Sequence, residues 1–170
     1  MNIILIGYRG TGKTAVSEIL SKRLDMQCIG MDNRIVEIAG MSIPEIVQKY
    51  GWDKFRQIES DLAVELSKLD NIIIDAGGGI IEKYENINSL KNNAIIIWLK
   101  ASVDIIASRI HDDNQRPALT NGKTFIDEIS EVYERRKPKY KSASNYEIET
   151  DNLSPDRIAE IIIEFVSKQK

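Results

Sequence analysis

Cysteine is almost missing from this chain: Cys28 is the only one in 170 residues. An intramolecular disulfide and a cysteine-ligated zinc site are thereby excluded. Within the apolar stretch Met26-Gln27-Cys28-Ile29 the thiol reads as inert core, and the composition suits a reducing cytoplasm. Histidine is as scarce. His111 has no partner motif and reads as a surface residue. Positive charge is not in excess: 23 lysines and arginines against 26 acids leave a formal charge of −3. No basic field is therefore available to hold a nucleic acid duplex or an anionic membrane. No apolar run approaches the roughly 20 residues that a membrane-spanning helix needs. The first residues enter a strand pattern directly and do not resemble a secretory signal. Repeats, low-complexity tracts and Pro/Gly linkers are also lacking. What remains, 42% hydrophobic and 29% charged residues, is an ordinary globular balance. It can form one core and predicts one domain over residues 1–170.

One stretch is dense with chemistry. Gly7-Tyr8-Arg9-Gly10-Thr11-Gly12-Lys13-Thr14 fills every position of the pattern G-x-x-x-x-G-K-[ST]. It follows the apolar run Ile3–Ile6 and precedes Ala15-Val16-Ser17-Glu18-Ile19-Leu20, which has helical spacing. In that context the glycines let successive backbone N–H groups turn toward phosphate oxygens, and the helix N-terminus adds its dipole. Gly10, Thr11, Gly12, Lys13, Thr14 and Ala15 are thus the expected nucleotide contacts. Lys13 is expected to reach the β- and γ-phosphates, and the Thr14 hydroxyl to ligate Mg²⁺.

Short β-rich runs alternate with helical patterns along the rest of the chain. The runs are Ile3–Ile6, Met26–Ile29, Asn71–Asp75, Ala94–Leu99 and Tyr146–Glu149. The first, third and fourth are nearly continuous in large aliphatics, as strands buried on both faces of a parallel sheet are. Helices are predicted at 13–24, 32–39, 43–49, 53–68, 102–110, 124–136 and 155–168. The last opens on Ser154-Pro155-Asp156, a capping serine before a first-turn proline. Its Ile/Val spacing reads as core, and Trp52 and Trp98 read as packing residues. The alternation predicts a three-layer α/β/α domain around a parallel sheet of about five strands. Ligands of such sheets bind beyond the carboxyl ends of the strands. The loops after Ile6, after Ile29 and at Gly77-Gly78-Gly79 all fall there. Residues 31–61 form a helical insertion. Residues 111–123, polar and turn-rich, read as either a surface loop or a closing lid; a lid would carry Arg116 to the transferring phosphate.

At this level of detail the chain resembles the shikimate kinase family over essentially its whole length. The residues that carry the resemblance are Gly30-Met31-Asp32, Ile38-Ala39-Gly40-Met41-Ser42-Ile43, Phe55-Arg56-Gln57-Ile58-Glu59, Gly77-Gly78-Gly79, Arg116-Pro117-Ala118-Leu119 and Arg136-Lys137-Pro138-Lys139-Tyr140. The resemblance implies transfer of the ATP γ-phosphate to the 3-hydroxyl of shikimate, in aromatic amino acid biosynthesis, by a cytoplasmic monomer using ATP and Mg²⁺. It implies that Arg56 and Arg136 bind the substrate carboxylate and that Gly78 meets the substrate through its backbone. It implies further that Asp32 binds the ring hydroxyls and is the candidate to take or orient the attacking hydroxyl's proton. Arg116 would contact the phosphates, and Arg109 and Pro155 would flank adenine. The chemistry agrees, because a guanidinium fork suits a carboxylate. Taken one at a time, Arg56 and Glu59 also read as an i,i+3 surface ion pair, Arg135 and Arg136 as a solvated basic face, and Gly77–Gly79 as a plain turn.

One position departs from the family pattern. The first aspartate of its Asp-x-Asp, which helps organise Mg²⁺, is Gly30 here. The apolar run Ile72-Ile73-Ile74 ends in Asp75, and both strands are expected next to the phosphate-loop strand, so Asp75 reads either as a replacement acid for the metal or as a capping or loop-ordering acid. Two other functions stay open at this point: a kinase for another small hydroxylated acid or a nucleoside monophosphate, and a catalytically weak nucleotide-binding module.

Overall fold

The apolar runs pair side by side and all point the same way. In the computed structural model, which describes residues 1–110 and 124–169, the strands are β1 (Asn2–Ile6), β2 (Gln27–Gly30), β3 (Ile72–Asp75), β4 (Ala94–Lys100) and β5 (Tyr146–Glu149). They form one parallel sheet in the order β2-β3-β1-β4-β5. β1 is central, with Ile4 opposite Ile74 on one side and Ile96 on the other. Alternate residues of the central strands enter two separate cores. Ile4, Ile6, Ile74, Ile96 and Trp98 pack with Phe55, Leu62, Ile106, Ile129 and Tyr140. Ile3, Leu5, Ile73, Ile97 and Leu99 pack with Val16, Leu20, Ile158 and Ile162. Both faces are covered, which is why these runs carry no polar alternation. Each fully buried side chain of this size stabilises by about 1.5–3 kcal/mol.

The helices are α1 (Lys13–Leu24), α2 (Met31–Ala39), α3 (Ile43–Leu66), α4 (Tyr84–Leu90), α5 (Val103–Ile110), α6 (Phe125–Ala143) and α7 (Pro155–Ser167). α1 and α7 cover one face of the sheet, and α2 to α6 the other. The three-layer α/β architecture expected from the alternation is present. α7 starts behind Ser154, whose hydroxyl accepts from the Arg157 N–H at 3.2 Å.

Four details differ from the sequence-based expectation. The helices predicted at 43–49 and 53–68 are one element, α3, broken at Gly51 (φ 81°, ψ 169°). Its start is held by a capping box between Ser42 and Glu45. α6 does not stop at 136 but continues through Pro138 to Ala143. Proline withholds one helical N–H, yet the segment beyond it stays in place because Tyr140 is fully buried, stacked on Trp98 at 5.5 Å. α4 was not predicted. It is seven residues long, with only Ile87 and Leu90 marking its inner side, too little periodicity to register. Lastly, β2 is not beside the phosphate-loop strand; β3 lies between β2 and β1.

Candidate active site

The phosphate loop leaves β1 by a turn that only glycine accommodates. Gly7 has φ 145°, and a Cβ there would overlap the Leu99 carbonyl oxygen. α1 then starts behind Gly12 with no side-chain cap and no acid in its first turn. Its leading N–H groups are thus left to an anionic ligand, at the positive end of the helix. Lys13 is buried, its Nζ donating to the Gly7 and Tyr8 carbonyls at 3.0 and 3.1 Å. The Thr11 hydroxyl donates to the Tyr8 carbonyl at 2.8 Å. Arg109, from the end of α5, donates to the Gly10 carbonyl at 3.0 Å. The expected adenine-side arginine is therefore attached to the loop itself.

A cleft of about 1060 Å³ opens beside this loop. Gly10, Gly12, Lys13, Thr14 and Ala15 line it, together with Gly30 and Asp75 from the ends of β2 and β3 and Asp32 from the start of α2. Asp32 lies in the first turn of α2, where the helix dipole favours its negative charge. Arg9 also lines the cleft, a cation that the loop pattern leaves unspecified. Cys28 packs against the core as expected, but it is half-buried and also lines the cleft. Burial, the largest influence, pushes its thiol pKa up, so the neutral form is favoured and nucleophilic reactivity is low.

The Thr14 hydroxyl donates to Asp75 Oδ2 at 2.6 Å. Asp75 is the register partner of Gly30 across β2 and β3, so their Cα atoms are about 5 Å apart. The strand neighbours thus differ from those expected, since of β2 and β3 only β3 adjoins β1, yet Asp75 still faces the loop. A hydroxyl and a carboxylate oxygen are hard donors that fit Mg²⁺, which takes one or two protein oxygens and fills its remaining positions with phosphates and waters. No cluster of three or more His, Cys, Asp or Glu suited to a metal occurs among the described residues.

On the other side of the loop lies the triple glycine. A Cβ on Gly78 would stand 3.3 Å from the Arg9 nitrogen and 3.4 Å from the Gly7 carbonyl oxygen. The Gly77–Gly79 segment therefore packs on the phosphate loop, which a plain surface turn does not do. Gly79 makes room for Arg56, since a Cβ there would overlap the guanidinium. Arg56 pairs with Glu59 at 2.6 Å, the two side chains being 13% and 1% exposed. The spacing is the i,i+3 of a helical ion pair, but the pair is buried. Arg136 is 4% exposed, and its guanidinium lies 5.8 Å from the Tyr8 ring centre. Arg135, its neighbour, points out. The solvated basic face is therefore only half correct: one arginine faces solvent and the other faces the loops.

Sequence reasoning missed Glu82. It ends the short 3-10 turn after the glycines and pairs with Arg136 at 2.6 Å. Burial raises its carboxyl pKa, but hydrogen bonds and charge from Lys139 and Arg136 outweigh that and hold it down to about 2. The only signal was a single acid three residues beyond the glycine run.

Arg116 and the 111–123 segment lie outside the described residues. Pro155 is the first residue of α7 and does not line the cleft.

The comparisons with known proteins agree with this geometry. The family model described as Shikimate kinase matches residues 9–167. The chain belongs to the shikimate kinase family. A shikimate kinase of Caldicellulosiruptor bescii is 37% identical over 162 residues, covering 95% of this chain and 93% of that protein. Shikimate kinase 2 of Photorhabdus laumondii is 35% identical over 167 residues, covering 96% and 94%. Among solved structures, shikimate kinase from Acinetobacter baumannii in complex with shikimate superposes with a TM-score of 0.94 at 29% identity, covering 99% of this chain and 94% of that one. In a shikimate kinase the sheet's carboxyl edge must serve two ligands at once, a nucleotide and a carboxylated polyol.

Proposed function

We propose that the chain transfers the γ-phosphoryl group of ATP to the 3-hydroxyl of shikimate, giving ADP and shikimate 3-phosphate. One observation carries the reading. The glycine segment that contains Gly78 and seats the Arg56 guanidinium packs directly on the phosphate loop that leads into Lys13, so an acceptor at the first lies within reach of a phosphate at the second. Phosphoryl transfer asks little covalent chemistry of a protein. Alignment and charge neutralisation do most of the work.

In this reading the α1 N-terminus and Lys13 hold the phosphates. Arg56 and Arg136 receive the acceptor's carboxylate, and the Gly78 backbone meets its ring. Asp32 orients the attacking hydroxyl and takes its proton as the oxygen bonds to phosphorus and the bond to the ADP oxygen breaks. Thr14 and Asp75 would hold Mg²⁺. That ion supplies charge neutralisation on the phosphates when bound. Arg109 and Pro155 flank adenine, and Arg116 brings further positive charge. The proposal extends to a monomer in the cytoplasm serving aromatic amino acid biosynthesis. No helix among the described residues is long and apolar enough to cross a membrane.

The test is ADP release with an acceptor panel, with and without Mg²⁺. The panel holds shikimate, other hydroxylated acids and nucleoside monophosphates. Turnover that depends on shikimate is the expected result. Turnover only with another acceptor refutes the substrate assignment, and ATP binding without turnover on any acceptor refutes the enzyme.

A further inference from the structure

Glu82 gathers three cations. Its Oε1 accepts from Arg136 Nε at 2.6 Å and Arg135 Nη2 at 2.9 Å, and its Oε2 from Lys139 Nζ at 2.8 Å. It is also part of the triple-glycine segment, because its backbone N–H donates to the Gly79 carbonyl at 2.9 Å. The same segment is fastened to α6 a second time, by the Tyr140 hydroxyl donating to the Gly78 carbonyl. Arg136, Lys139 and Tyr140 stand at i, i+3 and i+4 on α6, one face of the helix. That face and the glycine segment are thus held as one unit.

The way Glu82 takes Arg136 matters. A guanidinium is planar, and its five N–H groups form a rigid fork. A contact through Nε fixes the plane and its rotation while leaving the terminal Nη–Nη edge turned from the glutamate. A buried arginine, 4% exposed, has little solvent to compensate for a wrong orientation. Three cations against one acid also leave the cluster net positive, so Glu82 does not cancel its attraction for a further anion. Exposed Arg135 and Lys139 would suffice for an acid whose only role was to tie helix to loop. The buried contact with Arg136 connects Glu82 to the acceptor.

We propose that Glu82 is a positioning residue for acceptor binding: it fixes the Arg136 guanidinium through Nε, and the remaining edge receives the carboxylate of the substrate. The inference rests on the shikimate kinase reading above.

Two variants and a double-mutant cycle test it. Glu82→Gln removes the charge at nearly constant shape. Glu82→Asp keeps the charge and withdraws the oxygens by about 1.5 Å. A hydrogen bond to a charged group is among the stronger ones in a protein, so each variant is expected to raise KM for shikimate about tenfold or more. The KM for ATP and kcat should stay within about twofold. Adding Glu82→Gln to Arg136→Lys should change KM little beyond Arg136→Lys alone, since the group through which Glu82 acts is already gone. Melting curves accompany the kinetics, and Glu82→Asp carries the test if Glu82→Gln does not fold. An unchanged or lowered shikimate KM overturns the proposal. So does a loss shared equally by kcat and both KM values, or additivity in the cycle. Wild-type protein that phosphorylates another acceptor but not shikimate overturns the functional reading itself. Wild-type shikimate turnover with unmoved KM in the variants overturns the positioning role alone.

Discussion

Asp75→Ala should raise the Mg²⁺ requirement of the reaction, and Gly30→Asp should restore it. Asp75 accepts from the Thr14 hydroxyl at 2.6 Å, at the first turn of the helix that faces the phosphates. Removing a carboxylate that ligates or orients at a metal site costs about 10–100-fold in metal affinity. The apparent Mg²⁺ constant for ADP formation, at saturating ATP and shikimate, should rise by that factor. The restoring change is open to this backbone. Gly30 has φ −83° and ψ 114°, ordinary for any residue. A Cβ there meets nothing closer than Asn33 Nδ2 at 3.8 Å. Its strand partner is Asp75 itself, so the new carboxylate starts about 5 Å from the old one. The double variant Gly30→Asp/Asp75→Ala should therefore recover most of the lost metal affinity. Mn²⁺ binding in the presence of ADP, followed by electron paramagnetic resonance, gives a readout separate from turnover. The reasoning fails if Asp75→Ala leaves the Mg²⁺ titration unchanged, or if it raises only the shikimate KM. Asp75 ends a strand and is only half-buried, so the melting temperature should move by no more than a few degrees.

Lys13→Ala should lower kcat by about a hundredfold to a thousandfold, as loss of a preorganised charge-stabilising donor does, with the fold retained by circular dichroism. Gly79→Ala should push the Arg56 guanidinium away from its seat and raise KM for shikimate several-fold while KM for ATP holds. Matched Michaelis curves for the two substrates decide it, and equal changes in both would count against the placement of Arg56. Glu82 makes stability depend on acid. Its folded-state pKa of about 2 lies below the ordinary 4.5, so its stabilisation is complete above about pH 4.5 and is lost as pH falls toward 2. Denaturant unfolding across that window should show a slope that Glu82→Gln reduces, on the order of 2 kcal/mol in total after allowance for partial exposure. Phe55→Ala should cost about 3–5 kcal/mol, since Phe55 is fully buried; a loss under 1 kcal/mol in the same assay would contradict the packing of α3.

The legible parts of this molecule are those whose cause is local. Strands β1, β3 and β4 are visible because burial on both faces leaves unbroken aliphatic runs, and the phosphate loop because every glycine and the lysine act within eight residues. α4 and the far end of α6 were hidden for the opposite reason. α4 shows two aliphatic residues in seven. α6 persists past Pro138 through contacts to Trp98 and Gly78, which are 42 and 62 positions from Tyr140 in the chain. The same division runs through the site. Arg56 and Glu59 stand three apart on one helix, so the pair could be read, though not its burial. Arg136 and Glu82 are 54 residues apart, and no periodicity connects them. Yet an arginine as buried as Arg136 requires an acid partner somewhere, because an unpaired buried charge is prohibitively costly. Given α6 as a core-facing helix, the search for that acid narrows to segments at the carboxyl edge of the sheet, where Arg136 must reach if it binds substrate. Glu82, tethered to the glycine loop by its own N–H, satisfies both demands: it pairs with the buried arginine, and it does so from the segment that packs on the phosphate loop.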